Sequence, residues 1–256
     1  MTLPVIETLG QGPDLVFLHG WGMNRGVFRP AIDALAEEFT LHLVDLPGFG
    51  QSPAIEPFTL EAVAALLDRA FFGRELSVCG WSLGGQVAMT WALRSGQSVR
   101  RLVLAGSTPC FVRRPDWPHG LPADVFLEFA RDLEQDYRGT LVRFLSLQAR
   151  GEGAARSVLG NLRSRMSSAG IPEGRVLRAG LDILLNTDLR PFLQELRIPV
   201  LVLHGAQDTL CPPGAARWAA DELPVADLEL FPRAGHAPFL SCPAEFAARI
   251  RDFLNG

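Results

Sequence analysis

The chain has 256 residues, 48% hydrophobic and 20% charged, with a formal net charge of −4, enough apolar content for one sizeable core and a single α/β unit. No apolar run reaches the roughly 18 residues of a membrane span, and the N-terminus lacks the basic region and apolar stretch of a secretory leader, so a cytoplasmic location is expected. The acidic balance and the lack of an aromatic-basic recognition motif argue against nucleic acid as a partner.

Cys79, Cys110, Cys211 and Cys242 are widely spaced without a C-x-x-C pair, which argues against a zinc cluster or disulfide framework and predicts four free thiols. Gly10-Gln11-Gly12 lacks the third glycine of a dinucleotide loop and no phosphate loop occurs, so no cofactor and no metal are implied.

Apolar periodicity divides the rest of the chain. It predicts a strand near 14–19, a helix near 27–38, a strand at 41–45, a helix at 59–71, a strand at 75–80, a helix at 83–95 and a strand at 99–105. This alternation is the pattern of a parallel sheet with helices on both faces. It stops there. From 109 to 189 no strand is evident, and amphipathic helices are predicted at 123–137, 139–150, 154–166 and 175–185. Strands return at 198–203 and 227–231, and a helix begins near Pro243. The expected organisation is a core of residues 1–108 and 190–256, with a helical lid of residues 109–189 inserted after the sixth strand over the carboxyl edge of the sheet.

The most informative motif is Gly80-Trp81-Ser82-Leu83-Gly84-Gly85, which sets a serine between a buried strand and a helix. A residue at such an apex adopts a strained backbone, so the positions two before and two after it must be small, and both are glycine. This is the G-x-S-x-G nucleophile elbow. A serine hydroxyl needs a base, and the base needs an orienting acid. Asp208 follows the strand at 198–203, and His236 follows the strand at 227–231. Asp45 and Asp188 are rival acids, but Asp45 opens an Asp-Leu-Pro-Gly turn and no strand precedes Asp188. His19 and His204 end strands and are read as loop braces, while His42 within a strand and His119 in a proline-rich loop are read as structural or solvated.

The order Ser, Asp, His is that of the α/β-hydrolase family, which the chain resembles from about residue 4 to 254. The resemblance implies an α/β-hydrolase fold and an oxyanion hole made by the backbone amides of Trp21, in His19-Gly20-Trp21-Gly22, and Leu83. Residues 41–50, Ser107-Thr108-Pro109-Cys110-Phe111, Arg143-Phe144-Leu145-Ser146-Leu147-Gln148 and His236-Ala237-Pro238-Phe239 narrow the likeness to the pimeloyl-acyl carrier protein methyl ester esterases of biotin synthesis. That narrower resemblance implies a serine esterase acting on an acyl carrier protein substrate, with Trp21, Ser82, Leu83 and His236 contacting the ester; a monomer is expected.

Phe111, Phe144 and Leu147 either line an apolar slot for the acyl chain or pack the lid on the body. All 24 basic side chains are arginine. Eight of them fall between 138 and 178 against Glu152 and Glu173 alone, a basic segment on an acidic body that suits a negatively charged partner. By motif match Arg143 and Arg156 would dock the acidic carrier; ordinary solvated helix faces are the plain alternative reading. A broad short-chain carboxylesterase, a carbon–carbon bond hydrolase and a ligand receptor built on the same scaffold stay open as alternatives.

Overall fold

The computed structural model describes residues 2–95, 98–148, 155–168 and 172–256. Seven strands form one sheet: β1 (Ile6–Gly10), β2 (Asp14–Leu18), β3 (Thr40–Val44), β4 (Leu76–Trp81), β5 (Val99–Ala105), β6 (Val200–Gly205) and β7 (Ala226–Phe231). Their spatial order is β1-β3-β2-β4-β5-β6-β7, with β1 antiparallel to β3 and every other pair parallel. The inner strands are covered on both faces, which is why β2, β4, β5 and β6 read as continuous apolar runs rather than alternating ones.

Ten α-helical segments accompany the strands: α1 (Arg29–Ile32), α2 (Leu60–Ala70), α3 (Leu83–Ser95), α4 (Ala123–Gln135), α5 (Tyr137–Gln148), α6 (Ala155–Ser168), α7 (Gly174–Asn186), α8 (Pro213–Glu222), α9 (Pro238–Ser241) and α10 (Pro243–Asn255). Helix α2 shows the local logic. Thr59 caps it by accepting the Ala62 amide at 3.2 Å, and Leu60, Val63, Ala64, Leu66 and Leu67 form its buried stripe. Among the described residues no helix is long and apolar enough to cross a membrane. The four cysteines form no disulfide.

Several expectations are corrected. The single helix at 27–38 is a chain of short pieces, a 3₁₀ turn Arg25–Phe28, then α1, then a second 3₁₀ turn Asp33–Glu37. Asn24 caps the first 3₁₀ turn, and Pro30 lies in the opening turn of α1, where proline is tolerated because it need not donate there. Strand β1 was not anticipated: it is a half-exposed edge strand whose partner, β3, lies over thirty residues away. Helix α8, which Pro213 opens, was not anticipated either. The helices α4–α7 follow the fifth strand of this sheet, not a sixth, since five strands precede them among the described residues.

The topology fixes where a site can form. From β2 the chain crosses outward to β3 and then back to β4 on the opposite side of β2, so β2 and β4 are neighbours whose following loops diverge. Such a switch point at the carboxyl ends of parallel strands is where open α/β sheets bind ligands. Leu18 pairs with Gly80 there, which puts the loop 19–22 beside the turn containing Ser82.

Candidate active site

Ser82 sits between β4 and α3 with φ of 55°, the one described non-glycine residue in the left-handed region. Cβ crowding makes that conformation unfavourable, and it persists only where the surroundings over-determine it. Here they do. The Ser82 amide donates to the Ala105 carbonyl at 3.1 Å, and the Ser82 carbonyl accepts from the Gly85 amide at 2.9 Å and from the Ser107 hydroxyl at 2.8 Å. Gly80 and Gly84 are required by close approach: a Cβ on Gly80 would lie 2.4 Å from the Gly84 carbonyl oxygen, and one on Gly84 would lie 2.2 Å from that of Leu18.

The structure brings Ser82, His236 and Asp208 into one hydrogen-bonded chain. His236 Nε2 lies 3.0 Å from Ser82 Oγ, and His236 Nδ1 lies 2.8 Å from Asp208 Oδ2. All three residues are buried. Because Asp208 accepts at Nδ1, that nitrogen carries the proton and leaves Nε2 free to accept from the serine hydroxyl. Asp208 Oδ1 accepts the Leu210 and Cys211 amides at 2.8 and 2.9 Å. Burial alone would raise the pKa of this carboxyl, but the His236 imidazole and the surrounding donors outweigh it and hold the group below its usual range, so it is ionised at neutral pH. The arrangement can take a proton from Ser82 and stabilise the imidazolium that results.

The loop after β2 packs on the nucleophile. A Cβ on Gly20 would stand 3.2 Å from Ser82 Cβ, so the backbone entering Trp21 runs at contact distance from the serine. His19 fixes that loop: Nδ1 donates to the Gly20 carbonyl at 2.8 Å and Nε2 accepts the Leu46 amide at 3.0 Å. Burial holds the His19 pKa down, keeping the ring neutral as the second bond requires. Leu83 is the first residue of α3, so its amide has no acceptor within the helix and lies at the positive end of the helix dipole.

The rival residues are engaged elsewhere. Asp45 accepts the Arg25 and Gln51 amides at 2.8 and 2.9 Å and pairs with the Arg25 guanidinium, closing its turn. Asp188 pairs with Arg190 at 2.7 Å, and that guanidinium keeps its carboxyl below the usual range. His42 lies 2.7 Å from Asp14 and 3.1 Å from Thr8 Oγ1, and His119 packs edge-on against Trp117. His204 Nε2 donates to the Cys211 carbonyl at 2.7 Å and so braces the loop that carries Asp208. His204, Asp208 and Cys211 are the one group among the described residues whose atoms lie close enough for a metal. The fit is poor: both Asp208 oxygens and His204 Nε2 are already bonded, and burial pushes the Cys211 thiol up, away from the thiolate a metal needs.

Phe144 is buried edge-on against the Trp21 indole at a centroid distance of 4.7 Å, and Phe129 of α4 packs edge-on against Phe144 at 5.5 Å. Phe111 is buried in the segment leaving β5, and the side chain of Leu147 lies outside the described residues. Arg156 is exposed at the start of α6. Arg143 is exposed too, but its guanidinium is held by Asp132 at 2.5 Å and Thr140 at 3.0 Å.

Sequence reasoning missed three supports. Trp81 donates its indole N–H to the His236 carbonyl at 2.8 Å. Ser107 fixes the Ser82 carbonyl. Gly106, at φ 49°, leaves room for the His236 backbone, whose oxygen would lie 2.5 Å from a Cβ there. Only the glycine at a strand end was a usable signal; the other two depend on partners distant in sequence.

Comparison with known proteins follows from this geometry. The sequence profile of the family described as the alpha/beta hydrolase fold matches residues 13–243. A pimeloyl-[acyl-carrier protein] methyl ester esterase of Nitrosomonas europaea is 47% identical over 243 residues, covering 95% of this chain and 96% of its own length. The same-named protein of Chromobacterium violaceum is 44% identical over 250 residues, covering 98% and 97%. Among solved structures, an esterase from Exiguobacterium antarcticum superposes with a TM-score of 0.90 at 24% identity, covering 99% of this chain and 96% of that one, a likeness of fold.

Proposed function

Because the chain belongs to the alpha/beta hydrolase fold family, we propose that it is a serine carboxylesterase that cleaves the methyl ester of pimeloyl-acyl carrier protein in biotin synthesis. The relatives that are 44–47% identical over nearly the whole chain carry that activity in their names. The observation that carries the chemistry is the buried chain from Ser82 Oγ through His236 to Asp208, with links of 3.0 and 2.8 Å.

His236 Nε2 takes the Ser82 proton as the hydroxyl oxygen attacks the ester carbonyl. Asp208 holds the imidazole in the tautomer that accepts this proton and stabilises its cation. The Trp21 and Leu83 amides donate to the oxyanion of the tetrahedral intermediate, which collapses as His236 protonates departing methanol. Water, activated by the same imidazole, then attacks the acyl-serine, releases the free carboxylic acid and restores the hydroxyl. General base catalysis supplies about 10²- to 10⁴-fold and one oxyanion donor about 10²- to 10³-fold.

Residues 109–189 act as the lid, with Phe111, Phe144 and Leu147 along the acyl chain. Arg143 and Arg156 receive the acidic carrier, supported by the arginine surplus of that segment. For Arg143 docking is an exchange, since the carrier's carboxylate replaces Asp132. The enzyme works as a cytoplasmic monomer without a cofactor. The test is methanol release from pimeloyl-carrier methyl ester beside a small soluble ester, over a range of salt concentrations. Ser82→Ala should abolish release from both while the protein stays folded, and salt should slow only the carrier substrate. Full activity of Ser82→Ala would reject the mechanism. A small ester hydrolysed as well as the carrier substrate, with no salt effect on either, would favour a broad-specificity esterase.

A further inference from the structure

Helix α7 carries Gly180 on its buried face, where glycine is a poorer helix former than alanine. Close packing accounts for it. A Cβ at Gly180 would lie 2.6 Å from Trp21 Cδ1 and 3.0 Å from Trp21 Nε1, and 3.7 Å from Leu83 Cδ2. One turn earlier the Leu177 carbonyl accepts the Trp21 indole N–H at 2.8 Å. Phe144 of α5 closes on the same indole.

The insertion therefore grips the side chain of Trp21, while the Trp21 backbone belongs to the loop packed on Ser82. At the same point α7 meets the side chain of Leu83. These are the two residues whose amides face the developing oxyanion in the mechanism above. Ser82 is 4% exposed and Trp21 1%, so both lie beneath the surface.

We propose that Gly180 is a positioning residue: it seats the Trp21 indole so that α7, when closed, sets the Trp21 and Leu83 amides for the oxyanion. Closure of the insertion and stabilisation of the transition state are then one event. This inference rests on the serine-esterase reading. Its consequence is that contacts between substrate and insertion are expressed in kcat more than in KM, because they act where charge develops.

The experiment compares wild type, Gly180→Ala, Trp21→Phe and the double variant on a small soluble ester. It measures kcat, KM and inhibition by a trifluoromethyl ketone, whose serine adduct imitates the tetrahedral intermediate. Each single variant should lower kcat about tenfold, part of the loss expected for one oxyanion donor, with KM changed less than about twofold. Inhibitor affinity should fall by the same factor as kcat. The double variant should be no slower than Trp21→Phe, since the new methyl group acts only through the indole. Alanine favours the helix, so a fall in kcat does not come from a weaker α7. Wild-type kcat in Gly180→Ala, a loss confined to KM, or single losses that multiply in the double variant would overturn the proposal. If Gly180→Ala does not fold, Trp21→Phe decides alone, and an unchanged kcat and inhibitor affinity overturn it. A wild-type enzyme that neither hydrolyses the ester nor is labelled at Ser82 by a fluorophosphonate would instead overturn the serine-esterase reading and this inference with it.

Discussion

Two tryptophans lie near Ser82, and they are anchored in different halves of the molecule. Trp81 ends β4, donates to the His236 carbonyl and packs edge-on against Phe239 at 5.0 Å, so it ties the base to the sheet. Trp21 follows β2 but donates to Leu177 in α7 and packs on Phe144 in α5, so it ties the loop beside the serine to the helical insertion. On the proton-transfer side, the Trp81 indole and Phe239 hold the His236 backbone to the sheet. The loop beside the serine is held instead by helices of the insertion, through the Trp21 indole.

Breaking the core side should have the larger effects. Asp208→Asn would offer His236 an amide and allow the wrong tautomer, and kcat should fall about 10⁴-fold with the fold retained. Steady-state kinetics on a small ester would show it, and a loss under tenfold would contradict the assigned role. Trp81→Phe removes the donor to the His236 carbonyl while keeping an aromatic ring. A misplaced base of this kind should lower kcat by about 10²-fold, and equally for carrier-linked and small esters, because the anchor lies outside the insertion. A loss confined to the carrier substrate would show that the two sides are not separable.

The smallest effect concerns stability. His19 and His204 are fully buried, and burial holds both imidazoles below their ordinary value of 6.5, with Asp45 and Asp208 partly opposing it. Above that value neither folded nor unfolded chain is protonated, and these groups leave stability unchanged. As pH falls below it, the unfolded chain binds protons that the folded chain refuses. Stability should then drop by at most about 1.4 kcal/mol per pH unit for each histidine. Asp208, held below its ordinary 3.8, starts to lose its contribution as the pH falls below that value and has lost it fully once the pH is below its own lower value. Urea unfolding at pH 7.5, 6 and 5 measures the slope, and a flat profile would mean that these two rings accept protons without disturbing the core.

Much of this architecture was legible in the sequence. The helix expected at 83–95 is Leu83–Ser95 and the strand expected at 99–105 is Val99–Ala105, and three of the four insertion helices begin within one residue of their expected starts, the fourth two residues early. Apolar periodicity and glycines at fixed offsets are local signals. They reach as far as one element and its turn. The chain order of Ser82, Asp208 and His236 at strand ends was visible for the same reason. Elsewhere local signals failed. The helix expected at 27–38 broke at Pro30, β1 exists only because β3 is there to pair with it, and Arg143 is occupied by Asp132 from the preceding helix.

The sequence by itself determined the alternation of strands and helices, the strained serine turn and which residue types follow which strands. Tertiary structure alone decided that the Trp81 indole finds a carbonyl 155 residues away and the Trp21 indole one 156 residues away. It also decided that Gly180 must be bare where α7 meets the Trp21 indole. A side chain's own neighbours in sequence set its backbone preferences, but a partner across the fold is chosen by how whole elements pack, and no window of residues contains that information.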